Sequence, residues 1–386
     1  MSSLIKSPPM RLRARAEQGL MAAVSLAVAI AGCGARSELW VPLESDSSET
    51  DRITVASISL GGWHSCALRT DGTVLCWGRY DNGAAHPEPV AMATQGVVTF
   101  LAAGSAGTCA VLEGGILTCW GDAAGAVYGQ LEPKALDVGY DEVSLGGGFG
   151  CAVRIGGSVR CWGNVDGGQL GTPSPAQPIQ WIPGVQIQGI HDAQHVSAGD
   201  FSVCALRSAG TVFCWGEGPL GDGTEASSWA PVEVKGLPGR ATQVAVGGMH
   251  ACALIEDGTV VCWGRRQGAL GLDPTTFTDT TGLSAAPVPG LSNVTMISSG
   301  DRQSCALLGD GTVQCWGTNY IPGQGSKLPE PVVGLGPAIA VASGDFHDCA
   351  LLADRSVACW GQNDEGQLGD GTKTTSMMPV KAIGLE

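Results

Sequence analysis

Seven pairs of cysteines, each pair separated by ten positions, constrain this chain more than any other feature. They are Cys66 and Cys76, Cys109 and Cys119, Cys151 and Cys161, Cys204 and Cys214, Cys252 and Cys262, Cys305 and Cys315, and Cys349 and Cys359; with Cys33 they account for all 15 cysteines. Successive pairs begin 43, 42, 53, 48, 53 and 44 residues apart. A period of that length is one supersecondary unit that buries its faces only by stacking on copies of itself. Length alone would suggest two or three domains for 386 residues; the repeat replaces that count with one closed array.

The turn between the cysteines fixes how they face each other. In Cys66-Ala-Leu-Arg-Thr-Asp-Gly-Thr-Val-Leu-Cys76 a two-residue loop at Asp71-Gly72 would set Cys66 opposite Trp77. A three-residue loop, Thr70-Asp71-Gly72, sets Cys66 opposite Cys76, and its third position must be left-handed, which glycine allows without steric cost. The equivalent residues are Gly72, Gly115, Gly157, Gly210, Gly258, Gly311 and Arg355. Six of seven meet the requirement, so a cross-strand disulfide is expected in every repeat. Zinc is the competing use of paired thiols, but it needs four converging ligands, and one hairpin offers two. No metal and no cofactor is expected.

The remaining segments also read as strands. Val55–Leu60, Val143–Leu145, Val244–Val246 and Ala338–Val341 supply a first strand, and Pro-Val segments such as Pro231-Val232 and Pro331-Val332 a fourth. No stretch keeps a helical period. The expected fold is all-β: a seven-bladed β-propeller of four-stranded blades, a closed form that leaves no long edge exposed. The Pro379-Val380 strand has no repeat after it, so the C-terminal strand is expected to close the ring by completing the first blade.

Residues 1–32 carry Lys6, Arg11, Arg13 and Arg15 against Glu17, followed by an apolar run from Leu20 to Ala31. That run is too short for a permanent membrane span and has the layout of a signal peptide. It ends Ile30-Ala31-Gly32-Cys33, which resembles the bacterial lipobox and implies lipidation of Cys33. An ordinary cleaved signal peptide is the alternative, and Met10 is a second possible start. Residues 33–52, rich in Ser and acids, form a flexible tether, and the propeller occupies 53–386. Cleavage before Cys33 removes four cations and one anion, taking the formal charge from −15 to −18. Phosphate binding needs clustered cations, so no nucleic-acid partner is expected.

His64-Ser65-Cys66-Ala67-Leu68, Asp71-Gly72 and Trp77-Gly78, with the trailing Gly168–Gly171 and Gly366–Gly369, resemble the regulator of chromosome condensation repeat over about 330 residues. The resemblance implies a seven-bladed propeller and, in its eukaryotic form, guanine-nucleotide exchange on a small GTPase. The cysteine pairs depart from the general repeat and point to an oxidising compartment. The sequence also looks like secreted bacterial propellers that inhibit β-lactamases with loop aromatics.

The seven Cys-Trp-Gly tryptophans share one structural position and are expected in the core. The loops preceding the Cys-Ala strands hold Trp63, Phe149, Phe201, Met249, Arg302 and Phe346, large apolar residues and an arginine of the kind that anchors protein partners. The competing reading tucks them between blades. His64, His250 and His347, with Asp200, Asp301 and Asp345, adjoin the ring and are expected to bond neighbouring strands. No nucleophile elbow, phosphate cradle or calcium-loop spacing is present. The expected function is therefore a non-enzymatic, monomeric cell-envelope lipoprotein, held to the membrane by its lipid anchor, whose loop face binds a protein or an envelope polymer. An exchange-factor-like regulator of a small GTPase is the alternative.

Overall fold

The computed structural model describes residues 31–32, 53–80, 84–121, 130–163, 167–173, 184–265, 269–272, 282–317 and 328–385. Cys33 and the tether lie outside them. Seven antiparallel sheets follow one another along the chain, with no helix among the described residues. The first consists of Val55–Leu60, His64–Arg69, Val74–Gly78 and His86–Met92 from the axis outwards. Each later blade repeats that order, although three outer strands shrink to Val185–Gln186, Ala286–Pro287 and Glu330–Pro331.

The register is the one the turn requires. Cys66 pairs across the strands with Cys76, and the same holds in the other six blades. All seven expected disulfides form: Cys66 with Cys76, Cys109 with Cys119, Cys151 with Cys161, Cys204 with Cys214, Cys252 with Cys262, Cys305 with Cys315 and Cys349 with Cys359, at Cα–Cα distances of 4.0–4.1 Å. Gly72 has φ +80°, and the Gly72 amide donates to Arg69 O at 3.0 Å to close the loop. Arg355 takes the same left-handed conformation, with φ +68°. Its Cβ crowds the following carbonyl there, so Arg355→Gly is expected to stabilise the protein by about 1 kcal/mol, read as a higher denaturation midpoint with an unchanged slope.

The C-terminal strand Ser376–Lys381 is the last in the ring, but it pairs with Val357–Gly361 and so completes the seventh blade rather than the first. The first blade takes its outer strand from His86–Met92, where Pro89-Val90 is the segment in phase with the other Pro-Val strands. Every sheet is thus built from one contiguous stretch, and the seventh blade is joined to the first by packed side chains and by loop amides: that of Asp345 donates to Gly61 O at 3.4 Å and that of Gly371 to Pro87 O at 3.0 Å. The shared core includes Val55, Ile58 and Leu60 with Val341, Leu351 and Trp360, and the C-terminal Ala382 and Leu385 are buried in it.

The Cys-Trp-Gly tryptophans are all buried. The Gly-Gln-Leu-Gly loop of one blade receives the indole of the next: Trp77 Nε1 donates to Gln367 O at 2.8 Å, and Trp215 Nε1 to Gln169 O at 2.8 Å. Trp316 does the same with Ala269 O at 2.9 Å. A Cβ on Gly369, which has φ +71°, would sit 2.7 Å from Trp77 Nε1, so the motif's last glycine is required by the approach of the ring. In this way a trailing loop that follows one blade's hairpin locks the next blade.

Candidate functional site

The loops between first and second strands gather around the axis at one end of the ring. Trp63, Phe201, Met249 and Phe346 are each half-buried there, and Arg302 is exposed. Each of the first four is braced by the residue that follows a Trp-Gly pair. The amides of Arg79, Glu217, Arg265 and Gln362 donate to the carbonyls of Trp63, Phe201, Met249 and Phe346 at 2.8, 2.8, 2.9 and 3.0 Å. The rim is therefore a double layer of apolar anchors and polar partners. The position after Trp-Gly signals that second layer in the sequence, though it was not among the expected site residues.

Two clusters emerge. At the seam between the seventh and first blades the Trp63 and Phe346 rings lie 4.6 Å apart, and the Arg79 guanidinium sits 5.3 Å from the Trp63 ring centroid. Glu365 meets Arg79 at 3.5 Å. Between the fourth and fifth blades Phe201, Met249, Glu217 and Arg265 line a shallow cleft floored by Trp263. Aromatic faces with a cation above them suit a partner that brings apolar and polar groups together. Arg302 instead folds onto its neighbour, with Nε donating to Asp301 Oδ2 at 3.1 Å.

Cys204 and Cys214 also line the cleft between the fourth and fifth blades, whereas other disulfide cysteines lie deeper in their blades. Cys119, Cys161, Cys262 and Cys359 sit on the third strands Ile116–Gly121, Val159–Gly163, Val260–Gly264 and Val357–Gly361, and all four are fully buried. They present no surface to a partner, so their part is to cross-link the hairpins that hold the rim loops in place.

Phe149 does not join the rim. It stands two positions before its cysteine, where the other anchors stand three before theirs, and alternation along a strand turns it to the opposite side. It is fully buried and packs with Val203 of the next blade. The position equivalent to Phe149 holds histidine in three blades, and there the next blade offers a hydroxyl: His64 Nε2 meets Thr108 Oγ1 at 2.8 Å, and His250 Nε2 meets Ser304 Oγ at 2.8 Å. His347 Nε2 meets Ser65 Oγ at 2.6 Å, while Ser65 donates to Gln367 O at 2.9 Å. Because that serine's proton is committed to a carbonyl, His347 Nε2 must be the donor. Burial holds His64 down to about 4, and burial with the neighbouring His64 holds His347 to about 3. His64 and His347 are therefore neutral, and all three histidines are buried and clamp adjacent blades.

Asp200, Asp301 and Asp345 occupy matching positions in the rim loops. Burial, and then the charges of Asp200 and Asp301, push the Asp345 carboxyl up to about 8, against a hydrogen bond from Ser105 that acts downwards. A carboxyl raised in the folded state stabilises fully below its unfolded value, and that contribution is lost as pH rises through about 8. Asp345→Asn removes the titration. The variant is expected to gain melting temperature over the wild type at pH 8 but not at pH 4, as scanning calorimetry at the two pH values will show.

With this geometry in place, the family comparisons are informative. Two models, each described as the Regulator of chromosome condensation (RCC1) repeat, match residues 209–254 and residues 55–84, 193–221, 294–320 and 338–367. The chain therefore carries such repeats. It is 33% identical over 93 residues to the mitochondrial RCC1 domain-containing protein RUG3 of Arabidopsis thaliana, covering 22% of this chain and 20% of that protein. The match spans only a fifth of that relative. Human WBSCR16 superposes with a TM-score of 0.70 at 21% identity, covering 77% of this chain and 84% of its own. The CRINKLY WD40 ectodomain of the Arabidopsis thaliana receptor kinase ACR4 superposes with a TM-score of 0.54 at 22% identity, covering 80% and 96%. These likenesses establish the fold, and the site must speak for the function.

Proposed function

We propose that this chain, a seven-bladed propeller carrying regulator of chromosome condensation repeats, is an exported, non-enzymatic lipoprotein. In this reading it is anchored through an acylated Cys33, and its loop face binds a protein or an envelope polymer. The observation that carries the reading is the half-exposed Trp63–Phe346 pair with Arg79 against it, held at one end of a rigid ring. Large aromatic residues and arginine dominate binding energy where they are pre-positioned, because little side-chain freedom is lost on contact. Seven disulfides indicate an oxidising compartment, which favours export over a nuclear or cytosolic exchange factor. Ile30-Ala31-Gly32-Cys33 supports the lipid anchor, and a closed ring supports a monomer.

Two measurements test this. Intact mass of the native protein from the membrane fraction is expected to show a chain beginning at acylated Cys33 and gaining about 14 Da on reduction of seven bridges. A photo-crosslinking residue placed at Trp63 is expected to trap a partner in cells, and the same residue at Trp229, 49% exposed on an outer strand, is expected to trap none. An unprocessed chain with free thiols would overturn the lipoprotein reading and make nucleotide exchange the activity to assay. Adducts at Trp229 in place of Trp63 would move the binding face.

A further inference from the structure

Each disulfide has a counterpart in the following blade, the residue just before that blade's first cysteine. Starting from the first bridge these are Thr108, Gly150, Val203, Ala251, Ser304, Asp348 and Ser65. Three of them reach a sulfur: Thr108 Oγ1 lies 3.8 Å from Cys66 Sγ, Ser304 Oγ 3.8 Å from Cys252 Sγ, and Asp348 Oδ1 3.7 Å from Cys305 Sγ. One carboxyl therefore stands where the other blades place a hydroxyl or no polar side chain. It is buried, and Gln303 and Ser343, which face it, carry no charge. Burial pushes the Asp348 carboxyl up to about 7, so it keeps a proton well above the usual carboxylate range. A disulfide sulfur has no hydrogen of its own, and only the protonated carboxyl can offer one to Cys305 Sγ.

The same bridge differs from the others in cover. Cys315 is half-buried, whereas Cys305 and the remaining paired cysteines are buried. The outer strand shows why. Opposite Cys161, Cys214 and Cys359 stand the partly buried Val185, Val232 and Val380, but opposite Cys315 stands Glu330, an exposed acid that turns to water instead of covering the sheet. An attacking group thus meets the bridge from the Cys315 side, and the sulfur it would expel is the one beside the carboxyl.

We propose that Cys305–Cys315 is a thiol-exchange site whose substrate is a low-molecular-weight thiol, with Asp348 as the proton donor to the leaving sulfur. The attacking thiolate bonds to Cys315 Sγ, and the Cys315–Cys305 bond breaks with its electron pair leaving on Cys305 Sγ. Water has no access to steady a thiolate at that buried position, so the proton comes from the Asp348 carboxyl. The products are a mixed disulfide at Cys315, a Cys305 thiol and an Asp348 carboxylate. The exchange is stoichiometric, one thiol per chain, and it depends on neither the lipid anchor nor the rim loops. Half-cover at Cys315 selects a small attacker over a cysteine carried on a folded protein.

The test is the reaction of the full, oxidised chain with reduced glutathione, followed by alkylation, intact mass and peptide mapping. The wild type is expected to gain one glutathione on Cys315 and one alkyl group on Cys305, with the other six bridges unreacted. Asp348→Asn keeps the shape but has no proton to give, and it is expected to react roughly a hundredfold more slowly below pH 7. The wild-type rate is expected to rise with pH as the thiolate forms and to level off near pH 7 as Asp348 loses its proton, whereas the variant's rate keeps rising. A merely structural role for Asp348 would not produce that break. Six unreacted bridges report that the variant has folded, and Asp348→Ser, the residue of the first and sixth blades, serves as the second variant if it has not. Glutathione on Cys305, or an unchanged rate and pH profile in a folded variant, would overturn the site. A folded protein with one free cysteine is expected to react more slowly than glutathione, and faster reaction would overturn the assignment to a small thiol.

Discussion

Under native conditions a thiol reductant is expected to open Cys305–Cys315 first and to leave the other six disulfides intact until the ring unfolds as a whole, after which they are lost together. Thirteen of the fourteen paired sulfurs belong to buried residues, so a reductant has no approach to them in the folded state. Cys315 is the exception, half-buried beside an outer strand cut down to Glu330–Pro331. Each bridge closes a short loop and contributes about 2 to 3 kcal/mol in the chain-entropy picture. Seven such contributions exceed the roughly 5 to 15 kcal/mol that holds an ordinary domain together. The reduced chain is accordingly expected to stay unfolded at room temperature. Timed alkylation followed by intact mass distinguishes one early pair and six late ones from stepwise loss in every blade, which would show that the bridges open by local fluctuation.

The second large effect is expected at Trp77. Its side chain is fully buried, and its indole bonds the Gln367 carbonyl across the seam between the last and first blades. Trp77→Ala leaves a cavity and removes one of the two hydrogen bonds to the Gln367 carbonyl, which keeps the one from Ser65, a loss of about 3 to 5 kcal/mol. Trp215→Ala removes an equivalent bond to Gln169 and is expected to lose a similar amount. The two should differ in shape. The Trp77 seam joins blades that are far apart in sequence, so its variant is expected to show a larger radius of gyration by solution scattering at moderate denaturant. Equal radii for both variants would show that covalent continuity between blades plays no part in holding the ring closed.

Most of the fold was legible because the repeat encodes it locally. The hairpin register follows from one loop length and one left-handed position, and Gly72 and its counterparts carry both. What escaped was phase and register between elements. The Pro-Val strand of Pro379-Val380 could complete either the first or the last sheet on sequence pattern alone, and only its pairing with Val357–Gly361 decides. Phe149 was misplaced by a single position, which along a strand exchanges the solvent side for the interior. Its correct place can be counted from Cys151, two residues on. Arg79, Glu217 and Arg265 are marked in the sequence only by their place after Trp-Gly, and what that place does comes from the bond that joins each amide to an anchor's carbonyl in a separate loop. The histidine–hydroxyl pairs join different blades, 44 to 282 positions apart, and no local pattern marks them.

Since each sheet is made from one uninterrupted stretch, the order in which the chain visits them is not fixed by the architecture. Cutting the connection between any two neighbouring blades and joining residue 385 to residue 53 would leave the four strands of every blade with one another as partners. The seam would then become an ordinary linker and the cut a new seam. Circular permutants opened between the fourth and fifth blades should therefore keep all seven disulfide pairings, and a gene for such a protein can gain or lose a whole sheet without any strand changing its neighbours.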